Sequence, residues 1–170
     1  TATTLLVANA DDPRVMARIG SFPGRTVTFG ESATADVRAV DVEDLGLKGS
    51  RARLAVGGAS RELTVPLLGR GHLANVICAA AVALEMGVDL DTIVGRAAVL
   101  TPSPHRGAVL HLANGAIVVD DSYNSSPSAL TRALDVIAHT WAARRIAVVG
   151  EMLELGDLSV ALHQECGRAA

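Results

Sequence analysis

The first part of the chain carries short apolar runs whose residues are β-branched or alternate with polar ones. Residues 4–8 form a β-branched run that predicts a buried strand, closed by turn-forming residues at 9–13. A short helix is expected from about Asp12 to Arg18, because Asp12 can cap its free amides and Pro13 loses no hydrogen bond at the first helical position. Further segments with period-two character predict successive strands joined by glycine turns, and they cover residues 26–29, 36–42, 51–56 and 62–65.

Helical periodicity replaces this pattern after Pro66. A long helix is predicted over residues 72–86, with an alanine-rich surface that suits close packing on a sheet or another helix. Gly87 ends it. A second helix, capped by Asp89, is expected to run to about Leu100.

Two prolines in residues 101–104 interrupt regular structure. We therefore expect a domain boundary there, with one domain in residues 1–101 and a second in residues 102–170. The alternation of strands and helices on both sides predicts the α/β class.

The second domain repeats the alternation. The pattern predicts strands at 109–112, 117–120 and 145–149, and helices at 126–139 and from about 158 onward. Because Asn114-Gly115 lies between two apolar runs, the first two strands should form a hairpin. The strand, helix, strand order that follows predicts a parallel crossover.

Charge and composition narrow the possible partners. The net charge of −3 and the scattered basic residues give no field that would attract nucleic acid. Lys48 is the one lysine among fifteen basic residues, so chemistry that needs an amine has a single candidate. Cys78 and Cys166 lie in apolar helical patterns and are expected to be reduced core residues.

No apolar run approaches the roughly 20 residues of a membrane span, and no charged leader opens the chain, so the cytoplasm is the expected compartment. No histidine has metal-ligand spacing with Asp, Glu or Cys, so no metal is expected on histidine. Both ends lie inside regular patterns, which indicates a piece of a longer protein.

An apolar strand ends abruptly in polar side chains within residues 117–127. Asp120 and Asp121 can accept hydrogen bonds from sugar hydroxyls or hold a divalent cation, while Ser125 or Ser126 can cap a helix start suited to an anion. In open α/β sheets ligands gather at such strand ends. The alternative is a structural one, a helix cap beside solvated carboxylates.

Four segments match a known pattern in its order along the chain. They are Asn-Ala-Asp-Asp-Pro at 9–13, Leu-Leu-Gly-Arg-Gly-His-Leu-Ala-Asn at 67–75, Asp-Asp-Ser-Tyr-Asn at 120–124 before Pro127, and Val-Gly-Glu-Met-Leu-Glu-Leu-Gly at 149–156 before His163. Together they resemble the Mur ligase family, most of all its MurF-type members. The chain departs from the family's pattern at Gly71-His72, where His-Asn or His-Gln is usual, and at Ser126, where asparagine is common.

The resemblance implies the second half of a central mononucleotide-binding domain in residues 1–101, followed by the start of a Rossmann-like C-terminal domain. It implies an ATP-dependent acid–amino-acid ligase that adds D-alanyl-D-alanine to UDP-N-acetylmuramoyl-tripeptide in peptidoglycan precursor synthesis, through an acyl phosphate. ATP and Mg²⁺ would be the cofactors, and the full-length enzyme would be a monomer.

The same likeness implies roles for particular residues. The nucleotide would contact His72, Asn75, His105, Arg106 and Asp121. The phosphate or the dipeptide would face Tyr123, Asn124, Ser126, Glu151 and Glu154. Pro104-His105-Arg106 resembles the interdomain linker of related ligases, and a permanently charged, forked guanidinium suits phosphate oxygens.

A phosphate-gripping Gly-x-x-x-x-Gly-Lys-Ser/Thr loop is absent from these residues. Lys48 also sits in no pattern like the family's carbamylated lysine, so the magnesium ligands are expected mainly upstream. This chain alone should therefore not hydrolyse ATP. Two alternatives stay open: another amide ligase of the Mur or folylpolyglutamate type, and a nonenzymatic nucleotide-binding module descended from such a ligase.

Overall fold

The computed structural model describes residues 4–170. In the first part of the chain the helices and strands are β1 Leu5–Asn9, α1 Pro13–Ile19, β2 Arg25–Gly30, β3 Val37–Asp44, β4 Ser50–Val56, β5 Ala59–Val65, α2 Gly69–Glu85 and α3 Leu90–Ala97. One turn of 3-10 helix, Gly46–Lys48, contains the lone lysine between β3 and β4. Each predicted strand and helix of this part is confirmed, with ends that shift by up to three residues.

Strands β1 to β5 form one mixed sheet in chain order. β1, β2 and β3 run parallel, and β3, β4 and β5 run antiparallel. The register pairs Ala8 with Thr28 and Asn9 with Phe29. The carboxyl ends of β1 and β2 therefore lie side by side, which is where ligands gather in α/β sheets.

Helix α2 supplies the other half of the core. Leu54 and Leu63 on the sheet and Leu73 on the helix are fully buried, and Ile77 is 1% exposed. Burial of each such side chain stabilises the fold by about 1.5–3 kcal/mol. The buried pair Ala80 and Ala81 keeps the helix close to the strands, as its alanine-rich surface predicted.

Local capping explains where the shorter helices begin. The Asp12 side chain accepts from Arg14 N at 2.9 Å, with Pro13 at the first helical position, as predicted. The Asp89 side chain accepts from Thr92 N at 2.8 Å and begins α3. Each cap satisfies an amide that the helix itself leaves free.

The second part of the chain contains β6 Ala108–His111, β7 Ile117–Asp120, α4 Pro127–His139 and α5 Ser159–Ala169. β6 and β7 form the predicted hairpin, whose turn has Gly115 at φ +83° and the Asn114 side chain accepting from Ala116 N at 3.0 Å. A 3-10 turn, Gly156–Leu158, precedes α5.

The predicted strand at 145–149 is wrong, and with it the parallel crossover. These residues have no regular secondary structure, and Val148 is 96% exposed. A strand needs a neighbour to complete its backbone hydrogen bonds, and the described residues place none beside this run. The Arg145 guanidinium instead donates to Ile137 O and Thr140 O at the end of α4.

Helix α4 packs against the beginning of α2 and joins the two parts of the chain. A Cβ at Gly69 would lie 3.6 Å from a Val136 methyl, and one at Gly71 would lie 3.2 Å from Arg132 Nε. None of the described helices is both long and apolar enough to cross a membrane.

Candidate functional site

The carboxyl ends of β1 and β2 are joined by Asp11. Its carboxylate accepts from Glu31 N at 2.9 Å and from Ser32 N at 2.8 Å. Gly30 has φ +149°, and a Cβ there would lie 2.5 Å from Asp11 Oδ2. Asp11 in the segment 9–13 therefore acts as a structural clamp across the sheet edge.

Glu31 extends this clamp to helix α2. Its carboxylate forms an ion pair with Arg70, the second residue of the helix. Its backbone oxygen accepts from Arg38 Nε at 3.2 Å. The start of α2 is thereby held over the ends of the parallel strands.

The first two turns of α2 carry two of the predicted nucleotide ligands. The half-buried His72 ring donates from Nδ1 to Leu68 O at 2.7 Å, and its Nε2 has no hydrogen-bond partner among the described residues. Asn75 lies one turn further along and is exposed. None of the residues in the first turn of α2 is acidic.

The segment after the two prolines forms a second group of polar side chains, here called the linker cluster: His105, Arg106, Asp120, Ser122 and Tyr123. His105 Nδ1 donates to Asp120 Oδ2 at 2.8 Å, and the Ser122 hydroxyl donates to Asp120 Oδ1 at 2.7 Å. The Ser122 hydroxyl, followed by the His105 ring and the Ser122 amide, holds the pKa of Asp120 below its ordinary value.

Arg106 and Tyr123 complete the linker cluster. The guanidinium carbon stands 4.0 Å from the centre of the Tyr123 ring, a cation–π contact. The backbone reinforces it, since Tyr123 N donates to His105 O at 3.0 Å. Both side chains remain exposed, so their outer faces are accessible to a ligand.

The side chains of Asp121, Asn124 and Ser126 differ in whether they form hydrogen bonds within the protein. Asp121 is exposed, and its carboxylate has no hydrogen-bond partner among residues 4–170. Ser126 caps α4 by accepting from Ala129 N at 3.3 Å, as predicted. Asn124 Oδ1 accepts from Ser125 N at 2.9 Å. Asp121 therefore has the least encumbered acceptor of the three.

The linker cluster lies beside the first turn of α2. A Cβ at Gly107, whose φ is +72°, would be 3.8 Å from the Leu68 side chain and 3.9 Å from His72 Cε1. The structure thus brings Gly107, the neighbour of Arg106, against His72, although 35 positions of chain separate the two. Such a junction between two packed units is a common location for a ligand site.

The His163 ring holds the loop at residues 151–156 in place by hydrogen bonds. Met152 N donates to His163 Nε2 at 2.9 Å, and His163 Nδ1 donates to Ser159 O at 2.8 Å. Met152 is 3% exposed and fills the interior beneath. Glu151 and Glu154 point into solvent, and Glu154 has φ +63°.

The loop at residues 151–156 and the linker cluster belong to separate hydrogen-bond networks. No hydrogen bond or ion pair within residues 4–170 connects Glu151 or Glu154 to the linker cluster. No group of three His, Cys, Asp or Glu side chains in that same range converges as a metal site would require. The exposed Lys48 belongs to neither group.

Two family models match the chain: the Mur ligase middle domain over residues 1–83, and the Mur ligase glutamate ligase domain over residues 105–170. The chain belongs to the Mur ligase family. The stretch between the two matches contains α3 and the prolines.

Several relatives of this Mur ligase chain are named as the same ligase. It is 36% identical to the UDP-N-acetylmuramoyl-tripeptide–D-alanyl-D-alanine ligase of Mycobacterium tuberculosis, over 97% of this chain and 34% of that protein. It superimposes with a TM-score of 0.89 on MurF from Acinetobacter baumannii, at 25% identity, over 99% of this chain and 36% of that one. It also matches the MurF ligase of Thermotoga maritima in complex with ADP, with a TM-score of 0.82 at 25% identity, over 99% of this chain and 38% of that one.

The chain spans about a third of the length of these relatives. The sequence pattern does not reveal that Asp11 joins two strand ends, that His163 holds the loop at 151–156, or that Asp120 is the partner of His105. All three depend on contacts between distant positions. The one visible signal was indirect, because each residue lay inside or just after a segment that resembled the family.

Proposed function

We propose that the full-length protein is an ATP-dependent ligase that joins D-alanyl-D-alanine to UDP-N-acetylmuramoyl-tripeptide. The observation that carries this proposal is the linker cluster beside the first turn of α2, in a chain whose relatives bear the name of that activity. The complex of a similar MurF ligase with ADP supports nucleotide use. We also propose a cytoplasmic monomer, in keeping with ATP as cofactor and with the family resemblance.

The domain boundary at 101/102 remains part of the proposal. In it, residues 1–101 belong to the central nucleotide-binding domain and residues 102–170 begin the C-terminal domain. Support comes from the separate five-stranded sheet and hairpin, and from the two family models that match on either side.

The proposed nucleotide site uses the exposed groups at the junction. Arg106 offers a forked guanidinium to ribose or phosphate oxygens, and Asp121 offers a free carboxylate to ribose hydroxyls. His72 Nε2 and the exposed Asn75 amide lie on the facing helix and would approach adenine, with His105 beside them. These side chains bind and orient the nucleotide, and none of them acts as an acid or base.

Tyr123 and Asn124 would face the phosphate or the dipeptide, and the loop with Glu151 and Glu154 would be the substrate loop. Ser126 keeps a structural part in this scheme, because its hydroxyl is used in the cap of α4. Bound substrates at this loop would require the two units to approach each other, which aligns the reacting groups.

ATP supplies the driving force in this reaction: the tripeptide carboxylate takes the γ-phosphoryl group and the D-alanyl-D-alanine amine then displaces phosphate. The described residues fit nucleotide binding but offer no cluster of carboxylates for Mg²⁺. We therefore propose that the magnesium ligands and the phosphate-gripping loop belong to a part of the protein outside these residues.

The test is ATP-dependent phosphate release with UDP-muramoyl-tripeptide and D-alanyl-D-alanine, run on the full-length protein and on the 170-residue chain. We expect turnover only in the full-length protein, and only with both substrates present. Replacement of D-alanyl-D-alanine by L-alanine or L-glutamate should abolish release, which separates this reading from other amide ligases.

Asp121→Ala tests the site, and Asp135→Ala, at an exposed position of α4, is its matched control. Loss of a charged hydrogen bond to the ribose should raise KM for ATP by about tenfold or more. The control should leave it unchanged. If the folded full-length protein binds ADP but turns over no substrate, the second candidate is favoured, a nonenzymatic nucleotide-binding module.

A further inference from the structure

Asp120 uses both of its carboxylate oxygens inside the linker cluster. Oδ2 accepts from His105 Nδ1 at 2.8 Å, while Oδ1 accepts from the Ser122 hydroxyl at 2.7 Å and from the Ser122 amide at 3.2 Å. Asp121 follows directly and is exposed with no such partner among the described residues. The two adjacent aspartates therefore have different tasks: Asp121 is open to a ligand, and Asp120 is committed to the protein.

The bond to Asp120 holds His105 in an uncommon backbone conformation. His105 has φ +61°, in the left-handed region that side chains with a Cβ seldom adopt. From that turn its carbonyl accepts from Tyr123 N at 3.0 Å, and the next residue, Arg106, stands 4.0 Å over the Tyr123 ring. The conformation of His105 thus determines where the Arg106 guanidinium is presented.

We propose that Asp120 is a positioning residue that acts through His105 to hold Arg106 and Tyr123 ready for a nucleotide. The proposal rests on the nucleotide site described above. A prearranged guanidinium loses less conformational freedom on binding than a mobile one, so affinity rises without any new contact. Without Asp120, His105 loses the acceptor that favours its left-handed turn, and Arg106 leaves the Tyr123 ring. Asp120 itself touches no ligand.

A double-mutant cycle on the full-length protein tests this, with ADP as the titrated probe in calorimetry. Asp120→Ala should weaken ADP binding about tenfold. In a His105→Ala background the same change should have no further effect, because Asp120 acts through that ring. In turnover assays Asp120→Ala should raise KM for ATP and leave kcat at saturating ATP nearly unchanged.

Asp89→Ala is the control, since Asp89 is another aspartate whose carboxylate is hydrogen-bonded within the protein, here at the start of α3, where it accepts from Thr92 N at 2.8 Å. Its removal should lower the thermal midpoint but leave the Kd for ADP unchanged. Ser122→Ala keeps the bond between His105 and Asp120 and should give a smaller loss than Asp120→Ala. Circular dichroism checks that each variant folds.

An unchanged Kd in folded Asp120→Ala, or single losses that multiply in the double variant, would overturn the proposal. If Asp120→Ala does not fold, an unchanged Kd in folded His105→Ala overturns it instead, because Asp120 acts through that ring. If the wild-type protein does not bind ADP, both the proposed nucleotide site and the role of Asp120 are contradicted. Binding of ADP without ligase turnover would remove only the proposed reaction, and the Kd comparison would still decide the role of Asp120.

Discussion

Asp11 and Gly30 form a contact that leaves no room for a side chain at position 30. Gly30→Ala would place a methyl group 2.5 Å from Asp11 Oδ2, at a backbone φ of +149°. We expect a loss of roughly 2 kcal/mol or more, because the clamp must open and the backbone is strained. Thermal unfolding measures it.

Gly20→Ala is the control, since a Cβ there meets nothing within 4 Å and φ is −63°. Alanine at this position should be neutral or slightly stabilising. Equal midpoints for the two alanine variants would show that the clamp does not constrain position 30.

Asp36 makes stability depend on pH at the acid end. The Thr28 amide and then the Thr28 hydroxyl, each donating to Asp36 Oδ2, lower the pKa of this carboxyl from 3.8. Because the folded-state pKa is depressed, the stabilisation is complete above pH 3.8 and is lost as the pH falls through the folded-state value.

Asp36→Ala should therefore cost about 1–2 kcal/mol near neutral pH, where Thr28 N loses its acceptor. The deficit relative to wild type should shrink as the pH is lowered below 3.8. Urea unfolding at several pH values measures it, with Asp135→Ala, which lacks a side-chain partner within residues 4–170, as control. A deficit that stays constant with pH would contradict the assignment.

At the scale of helices and strands, Ser126 caps α4 and stands at a position where the family often has asparagine. Its hydroxyl accepts from Ala129 N at 3.3 Å and begins the helix. Ser126→Ala should destabilise the protein by about 1 kcal/mol, whereas Ser126→Asn should be nearly neutral because asparagine caps as well as serine.

Ser128→Ala, on the exposed side of the first turn of α4, controls for the general effect of alanine in the helix. Thermal midpoints of the three variants give the comparison. If Ser126→Asn were as destabilising as Ser126→Ala, the hydroxyl would be serving something other than a cap.

Local patterns were sufficient for most elements and insufficient for the contacts between them. Helix α1 and helix α4 could be predicted because their caps and their apolar spacing lie within a few residues of each other. The run at 145–149 has the composition of a buried strand, but strand formation depends on a partner strand that composition does not reveal.

The candidate site shows the same division. The resemblance indicated His105, Arg106 and Asp121, and the structure places Gly107, the neighbour of Arg106, near the first turn of α2. The pairing of His105 with Asp120 joins residues 15 positions apart, and the Asp11 clamp reaches 20 and 21 positions. Such side-chain geometry depends on the folded register and leaves no periodic signal.

At the scale of the whole molecule, the contact between α2 and α4 holds the proposed nucleotide site together. Gly71 lies in α2 with its Cβ position 3.2 Å from Arg132 Nε. Helix propensity alone predicts that any larger residue except proline is stabilising at position 71, by up to about 1 kcal/mol. The contact with Arg132 predicts destabilisation instead, when the side chain at position 71 is so large that the guanidinium cannot move away from it.

Three variants separate these effects. Gly95→Ala in α3, where a Cβ meets nothing within 4 Å, should stabilise by about 0.5–1 kcal/mol through propensity. Gly71→Ala should be tolerated, because the far end of the flexible Arg132 side chain can shift. Gly71→Leu should push α4 from α2.

Residues 101–104 are already largely exposed, and undocking in Gly71→Leu should make this segment more mobile. Limited proteolysis should therefore cleave there faster than in either alanine variant, and ADP affinity should fall. Gly71→Leu that resists protease as Gly95→Ala does would show that the two units need no close contact at Gly71. A glycine where the family usually has histidine would then be a neutral departure. Faster cleavage would instead show that Gly71 is needed, because the absence of a side chain at this position of α2 leaves space for Arg132 on α4.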